Sequence, residues 1–153
     1  MKKDEPQHLL FAKSTNQLVW QLLEKKRRTP EEEEMMIESA HASYFHWLKA
    51  GNRVHHQRGL WLVSRVYAAV KDVSNSLLYA RKCLALTKRY PKEMEDFDLA
   101  YAYEANARAS FLSKRSGDGK RYLSLAKTAG DKISDPENKN IFFNDFKFNQ
   151  LIK

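Results

Sequence analysis

The stretch Arg58-Gly-Leu-Trp-Leu-Val-Ser-Arg-Val-Tyr-Ala-Ala-Val70 decides the fold class. At about 100° per residue, Leu62, Val66, Gly59, Val70, Val63, Tyr67 and Leu60 sweep one wide apolar arc. Arg58, Trp61 and Arg65 stack beside it as i, i+3 and i+7. The pattern predicts a mostly buried helix carrying one polar and aromatic seam.

Cap and turn signals divide the rest of the chain into further helices. Upstream, Phe11, Leu18, Val19, Leu22 and Leu23 fall at helical spacing with Trp20 on their margin, predicting a helix over about 7–27. Thr29-Pro30-Glu31-Glu32 joins a cap residue, a proline at the first helical position and an acid at the third, so a second helix starts there and runs to about Ala50. Gly51-Asn52 stops it. Downstream, Asp72 or Ser74 caps a fourth helix with Leu77, Ala80, Cys83, Leu84 and Thr87 on one face, ending near Tyr90-Pro91. A fifth helix holds the alanine-rich run from Ala100 to Ala109, whose small side chains favour close helix approach. Ser116-Gly117-Asp118-Gly119 reads as the clearest turn, and Asp135-Pro136-Glu137 repeats the cap-proline-acid signal for a last helix. With only five glycines and four prolines in 153 residues, strands would run against the composition. The expectation is an all-α single domain of six to seven antiparallel helices, with hairpins over about 7–50, 53–90 and 95–133 and a terminal helix over about 136–152.

Shifted against itself by 46 positions, the sequence puts Asp72 on Asp118, Leu77 on Leu123, Ala80 on Ala126 and Cys83 on Ala129. Turn falls on turn and small on small, so the hairpins stack as a helical array. The blocks Tyr44-Phe-His-Trp47, Arg58-Gly-Leu-Trp61, Ser64-Arg-Val-Tyr67 and Ala102-Tyr-Glu-Ala105, with Gly117-Asp118 and the small Ala126 and Ala129, resemble a family of uncharacterised bacterial tetratricopeptide-like proteins. That resemblance implies a stacked helical-hairpin fold and no particular activity. The spacing is longer than a 34-residue repeat, and the customary proline fits only at Pro91, one position out of phase.

Composition narrows the function classes. The formal charge of +8 comes from 27 basic and 19 acidic residues. Lys25-Lys26-Arg27-Arg28 and Glu31 to Glu34 fall where a helix end and a helix start favour each sign. No basic run is interleaved with aromatics, which argues against nucleic acid. Asp4, Glu5 and Pro6 stand where a secretory signal would need its apolar core, and no run is long enough to cross a membrane, so a cytoplasmic protein is expected. The single Cys83 sits among apolar neighbours and reads as a structural thiol.

No catalytic signature emerges and nothing calls for a cofactor. His41 and His46 diverge by about 140° on one helix, and neither they nor His55 and His56 meet a further ligand at metal-site spacing. Glu104 is the informative oddity, because it lies on an otherwise apolar face beside Ala100, Ala107, Phe97 and Phe111 and so requires a cation. Arg108, one turn on, offers a surface pair. The 46-residue register favours Arg58 instead, with Arg65 beside it, as first helices of successive hairpins pack side by side. On that reading Trp47, His55, Arg58, Trp61, Arg65, Tyr103 and Glu104 line one inner surface, a composition suited to a peptide, protein segment or small ligand. A buried network that fixes helix register stays open. Two other classes stay open as well: a ligand sensor or enzyme around His46, His55 and Glu104, and a homodimer built on the last helix. That helix carries the stripe Ile141, Asp145, Phe148 and Ile152, with Phe142, Phe143 and Phe146 spread over the rest. Folding back as a terminal cap is the default, because arrays must cover their last apolar face.

Overall fold

The structure, a computed structural model, describes the backbone of residues 3–150 and the side chains of residues 3–146. Its described residues form seven α-helices and no strand: α1 (Glu5–Leu23), α2 (Pro30–Ala50), α3 (Arg53–Ala69), α4 (Val73–Arg89), α5 (Asp96–Leu112), α6 (Ser116–Asp131) and α7 (Pro136–Gln150). A single 3₁₀ turn, Pro91–Glu93, precedes α5.

The helix starts follow from local chemistry. Thr29 Oγ1 accepts from the Glu32 amide at 3.2 Å while Glu32 accepts from the Thr29 amide at 3.0 Å, and Pro30 supplies a preset φ. Asn52 caps α3 in the same reciprocal way, with His55 Nδ1 as the returning acceptor at 3.2 Å. Asp72, rather than Ser74, caps α4 through the Asn75 amide. Arg28 closes α1 from the loop, donating to the carbonyls of Leu22 and Lys25.

Two turns have a form the sequence conceals. Lys71 and Lys114 both adopt φ of 61°, and the bonds Asp72 N to Tyr67 O and Arg115 N to Ser110 O, each 2.9 Å, wrap the preceding helix ends. These are left-handed C-terminal caps made with lysine in place of glycine. The predicted turn at Ser116–Gly119 is instead the first turn of α6, and the chain reverses just before it at Ser113–Arg115. Gly119 is there for room, since a Cβ would stand 2.7 Å from the Phe111 ring.

Consecutive helices pair as the hairpins α1/α2, α3/α4 and α5/α6, and α3 also packs on α5, α1 on α3, and α7 on both α5 and α6. The first helices α1, α3 and α5, followed by α7, therefore make one layer, with α2, α4 and α6 behind it. Between α1, α2 and α3 the core is Val19, Leu22, Met36, Ala40, Leu62, Val63 and Val66. Between α5, α6 and α7 it is Ala100, Ala126, Ala129, Ile133, Phe142 and Phe146. The buried face of α7 is thus set by Phe142 and Phe146, whereas Ile141 and Asp145 are exposed, which corrects the predicted stripe. Phe148 and Ile152 lie outside the described side chains.

The structural repeat is 43 residues. Arg53 and Asp96 begin α3 and α5, Lys71 and Lys114 make their turns, and Val73 and Ser116 begin α4 and α6, each pair 43 positions apart. The 46-residue self-alignment had matched Asp72 to Asp118, a cap to a first-turn residue. The shift moves every counterpart: Arg65 corresponds to Arg108, and Trp61, not Arg58, corresponds to Glu104.

Candidate functional site

One aromatic residue from each front helix forms a continuous wall. Trp20 of α1 stacks on Trp61 of α3, centroids 6.0 Å apart and 27° between planes. Trp61 meets the Tyr101 edge of α5 at 5.6 Å, and Tyr101 meets Phe142 of α7 at 5.0 Å and 88°. A groove runs along this wall with a larger mouth of about 320 Å³ and a smaller inner end of about 90 Å³. Trp20, Trp61, Tyr101 and Asp145 line both parts.

The mouth is rimmed by a fixed ion pair. Arg58 Nε and Nη2 reach Asp98 Oδ1 and Oδ2 at 3.0 and 3.4 Å, and the guanidinium lies 5.0 Å over the Phe97 ring. Asp98 is buried, and it also accepts from the Glu95 amide at the start of α5. Gln57 ties α3 to its neighbours through Thr87 Oγ1 and the Asp98 carbonyl. Asp145 accepts from the Tyr101 hydroxyl at 2.8 Å, and burial followed by this carboxylate pushes the Tyr101 phenol well above its ordinary range.

At the inner end Glu104 pairs with Arg108, and the pair is buried: their side chains are 1% and 9% exposed. This corrects both sequence readings of Glu104. Arg58 does not reach it, because α3 and α5 lie side by side with Arg58 against Asp98 and Trp61 against Tyr101, each 40 positions apart. A register of 40 in place of 46 displaces Arg58 by about 9 Å along the helix axis. Arg108 is indeed the partner, but inside the protein rather than on its surface. Arg65 lines the same cavity, where burial and then the charge of Arg108 pull its guanidinium down to about 10 while Glu104 and Asp145 pull it back. Among the described residues Arg65 makes no hydrogen bond or ion pair. Trp61 Nε1 and Arg108 Nε and Nη1 are buried with no protein acceptor.

The groove brings together Arg58, Trp61, Arg65 and Glu104 of the seven expected residues. The other three are elsewhere. Trp47 and His55 stack on each other at 4.2 Å and 4° across the α2/α3 turn, and His55 is occupied as a cap. Tyr103, two residues and about 200° round α5 from Tyr101, faces the back layer near Tyr122 and Lys88. His46 pairs with His8, Nδ1 to Nδ1 at 2.7 Å, so His46, His55 and Glu104 do not share a pocket. Among the described residues no three histidine, cysteine or acidic side chains gather as metal ligands would. Cys83 is fully buried and donates weakly to the Gln57 carbonyl, and burial pushes its thiol up.

Sequence reasoning missed Trp20, Asp98, Tyr101, Arg108 as a site member, and Asp145. A signal existed for Arg108: under a 43-residue period it is the counterpart of Arg65. Asp145 had none, because its place depends on how α7 returns. The chain matches no known family, no curated protein and no solved structure.

Proposed function

We propose that this chain is a non-enzymatic binding module that holds a peptide or protein segment in the groove fronted by α1, α3, α5 and α7, a small ligand being the alternative occupant. The observation that carries the reading is the aromatic wall Trp20–Trp61–Tyr101, open to the outside along a cavity of about 320 Å³. Large flat side chains at a groove, flanked by a prearranged Arg58–Asp98 pair and by Asp145, give apolar contact area at low entropy cost with polar groups that fix orientation. Glu104 tied to Arg108 beside an open groove supports a binder over an enzyme, and the separation of His46 and His55 adds to that. The terminal helix turns Phe142 and Phe146 inward, which supports a cap rather than a dimer face. The tetratricopeptide-like relationship and a cytoplasmic setting belong to the same proposal. No helix among the described residues is long and apolar enough to cross a membrane.

Selection from a displayed random-peptide library tests this reading. Trp20 is 40% exposed, so Trp20→Ala should leave the fold intact while weakening selected peptides by about tenfold or more, a hot-spot loss. Peptides that bind parent and Trp20→Ala alike, or no enrichment at all, would refute a peptide occupant of the groove.

A further inference from the structure

We infer that the inner end of the groove is a carboxylate subsite, in which Arg65, Arg108 and the Trp61 indole N–H receive one carboxylate of the ligand. The inference deepens the groove reading and rests on it.

The first argument is a surplus of donors. Buried polar groups in folded proteins are nearly always paired. Here Trp61 Nε1 and Arg108 Nε and Nη1 are buried without a protein acceptor, and Arg65 lines the same cavity without a hydrogen bond or ion pair among the described residues. A network that served only to fix register would direct these donors at acceptors, as Gln57 does nearby. The groups of Trp61 and Arg108 so placed are N–H donors, and an acceptor would pair them.

Charge agrees with this. Among the described residues two cations, Arg65 and Arg108, and two carboxylates, Glu104 and Asp145, line the inner cavity. Glu104 pairs with Arg108, while Asp145 is exposed and accepts from the neutral Tyr101 hydroxyl at 2.8 Å. Arg65 has no direct ion-pair partner among the described residues, and burial and then Arg108 pull its guanidinium down. One carboxylate between the two guanidinium groups supplies that direct partner, whereas a dianion would set two negative charges beside Glu104 and Asp145. Guanidinium forks match the planar two-oxygen geometry of a carboxylate.

Position and size agree with this. Arg65 and Arg108 are repeat counterparts on the adjacent helices α3 and α5, and both line the inner cavity. The cavity of about 90 Å³ equals the liquid volume of about three waters, room for one carboxylate and little more. Trp20, Trp61 and Tyr101 continue from it into the mouth, where the body of the ligand lies.

Two probe pairs test the subsite and separate its sources: indole-3-propionate against its primary amide, and N-acetyl-tetraalanyl-phenylalanine against its C-terminal carboxamide. Calorimetry at low salt and neutral pH reads each Kd. At least one acid should bind about tenfold or more tighter than its amide, since charge-assisted bonds are about twice as strong as neutral ones. Arg65→Gln should cut that preference to under about twofold without lowering the melting midpoint, and Arg65→Met should repeat the loss. Preference for the free acid alone identifies a small carboxylic acid as ligand, and preference for the peptide acid alone identifies a chain terminus; either supports the subsite. Equal binding of acid and amide, or a preference that survives Arg65→Gln, overturns it. If library-selected peptides bind while no acid is preferred, the subsite falls and the groove stands. If neither probes nor library bind, both fall.

Discussion

Replacing Glu104 by glutamine keeps its shape and removes its charge, leaving Arg108 without a counter-charge in a site where only 9% of its side chain meets solvent. An exposed i, i+4 pair is worth about 0.3–0.5 kcal/mol. Breaking a buried pair by removing one member costs about 3–5 kcal/mol, because the survivor keeps its desolvation penalty without compensation. Two of the three Arg108 nitrogens already lack a protein acceptor, so little else can absorb the loss, and the upper part of that range is expected. For a chain of this size that is a large fraction of total stability. Urea unfolding followed by far-ultraviolet circular dichroism measures it, with the slope checked so that a changed unfolded state is not mistaken for lost stability. A second variant separates charge from packing: Glu104→Leu with Arg108→Met removes both charges at similar volume and should recover most of the loss or exceed the parent. A Glu104→Gln midpoint within about 1 kcal/mol of the parent at unchanged slope would refute the buried-pair reasoning.

Arg65 should behave in the opposite sense: its lowered guanidinium means that the folded state disfavours its charge, so Arg65→Met should stabilise by about 1–3 kcal/mol, and a lower urea midpoint would contradict this. His41, His46 and His55 are each shifted below 6.5, burial being the largest cause in all three. Below 6.5 the unfolded chain therefore binds more protons than the folded one, so stability should hold above about pH 7 and fall as pH drops through 6.5 toward 5.5; melting midpoints across that range check it, and a flat profile would refute it. At Gly130 an added Cβ would stand 2.3 Å from Phe142 Cε1 and 3.0 Å from Phe143. Gly130→Ala should therefore destabilise by about 1–3 kcal/mol through loosening of α7, overriding the 0.5–1 kcal/mol that alanine normally adds to a helix, and an increase in stability would show that α7 does not dock there.

The helices were legible because most caps are local chemistry: Thr29-Pro30, Asp72 and Asp135-Pro136 each state a helix start within four residues. Asn52 reads in the sequence only as part of a left-handed stop with Gly51, whereas both have negative φ and Asn52 caps α3. The turn at Lys114 was not legible, because its left-handed residue is lysine, and glycine three positions later in Ser116–Gly119 is a stronger but misleading signal. That displacement carried into the register. Anchoring the self-alignment on Asp118 gave 46 in place of 43, and a slip of three residues moves a side chain by about 4.5 Å along the helix and off its face. The apolar arc of α3 and the seam of Arg58, Trp61 and Arg65 survive any such slip, as they depend on spacing inside one helix. Partners across helices do not survive it. Asp98 for Arg58, and Tyr101 with Asp145 for each other, needed the packing of α3, α5 and α7 to be seen.

Register device and ligand site make opposite demands on the same cluster, and the signs of two substitutions separate them. If the charges at the inner end existed to hold α3 and α5 in register, Arg65 and Glu104 would both contribute to stability, and replacing either with glutamine would lower it. The structure assigns them unequal parts. Glu104 compensates Arg108, whereas Arg65 has no ion pair among the described residues and is held in its charged form against burial. A side chain that opposes folding where it stands must be held there by the rest of the core, and such strain concentrates at sites that meet a ligand. Arg65→Gln should then strengthen the fold and abolish discrimination for the carboxylate, while Glu104→Gln weakens the fold and, by removing a negative charge from the cavity, tightens the acid probe relative to its amide. Loss of stability in both variants, with no change in discrimination in either, is the pattern that a purely structural network would give.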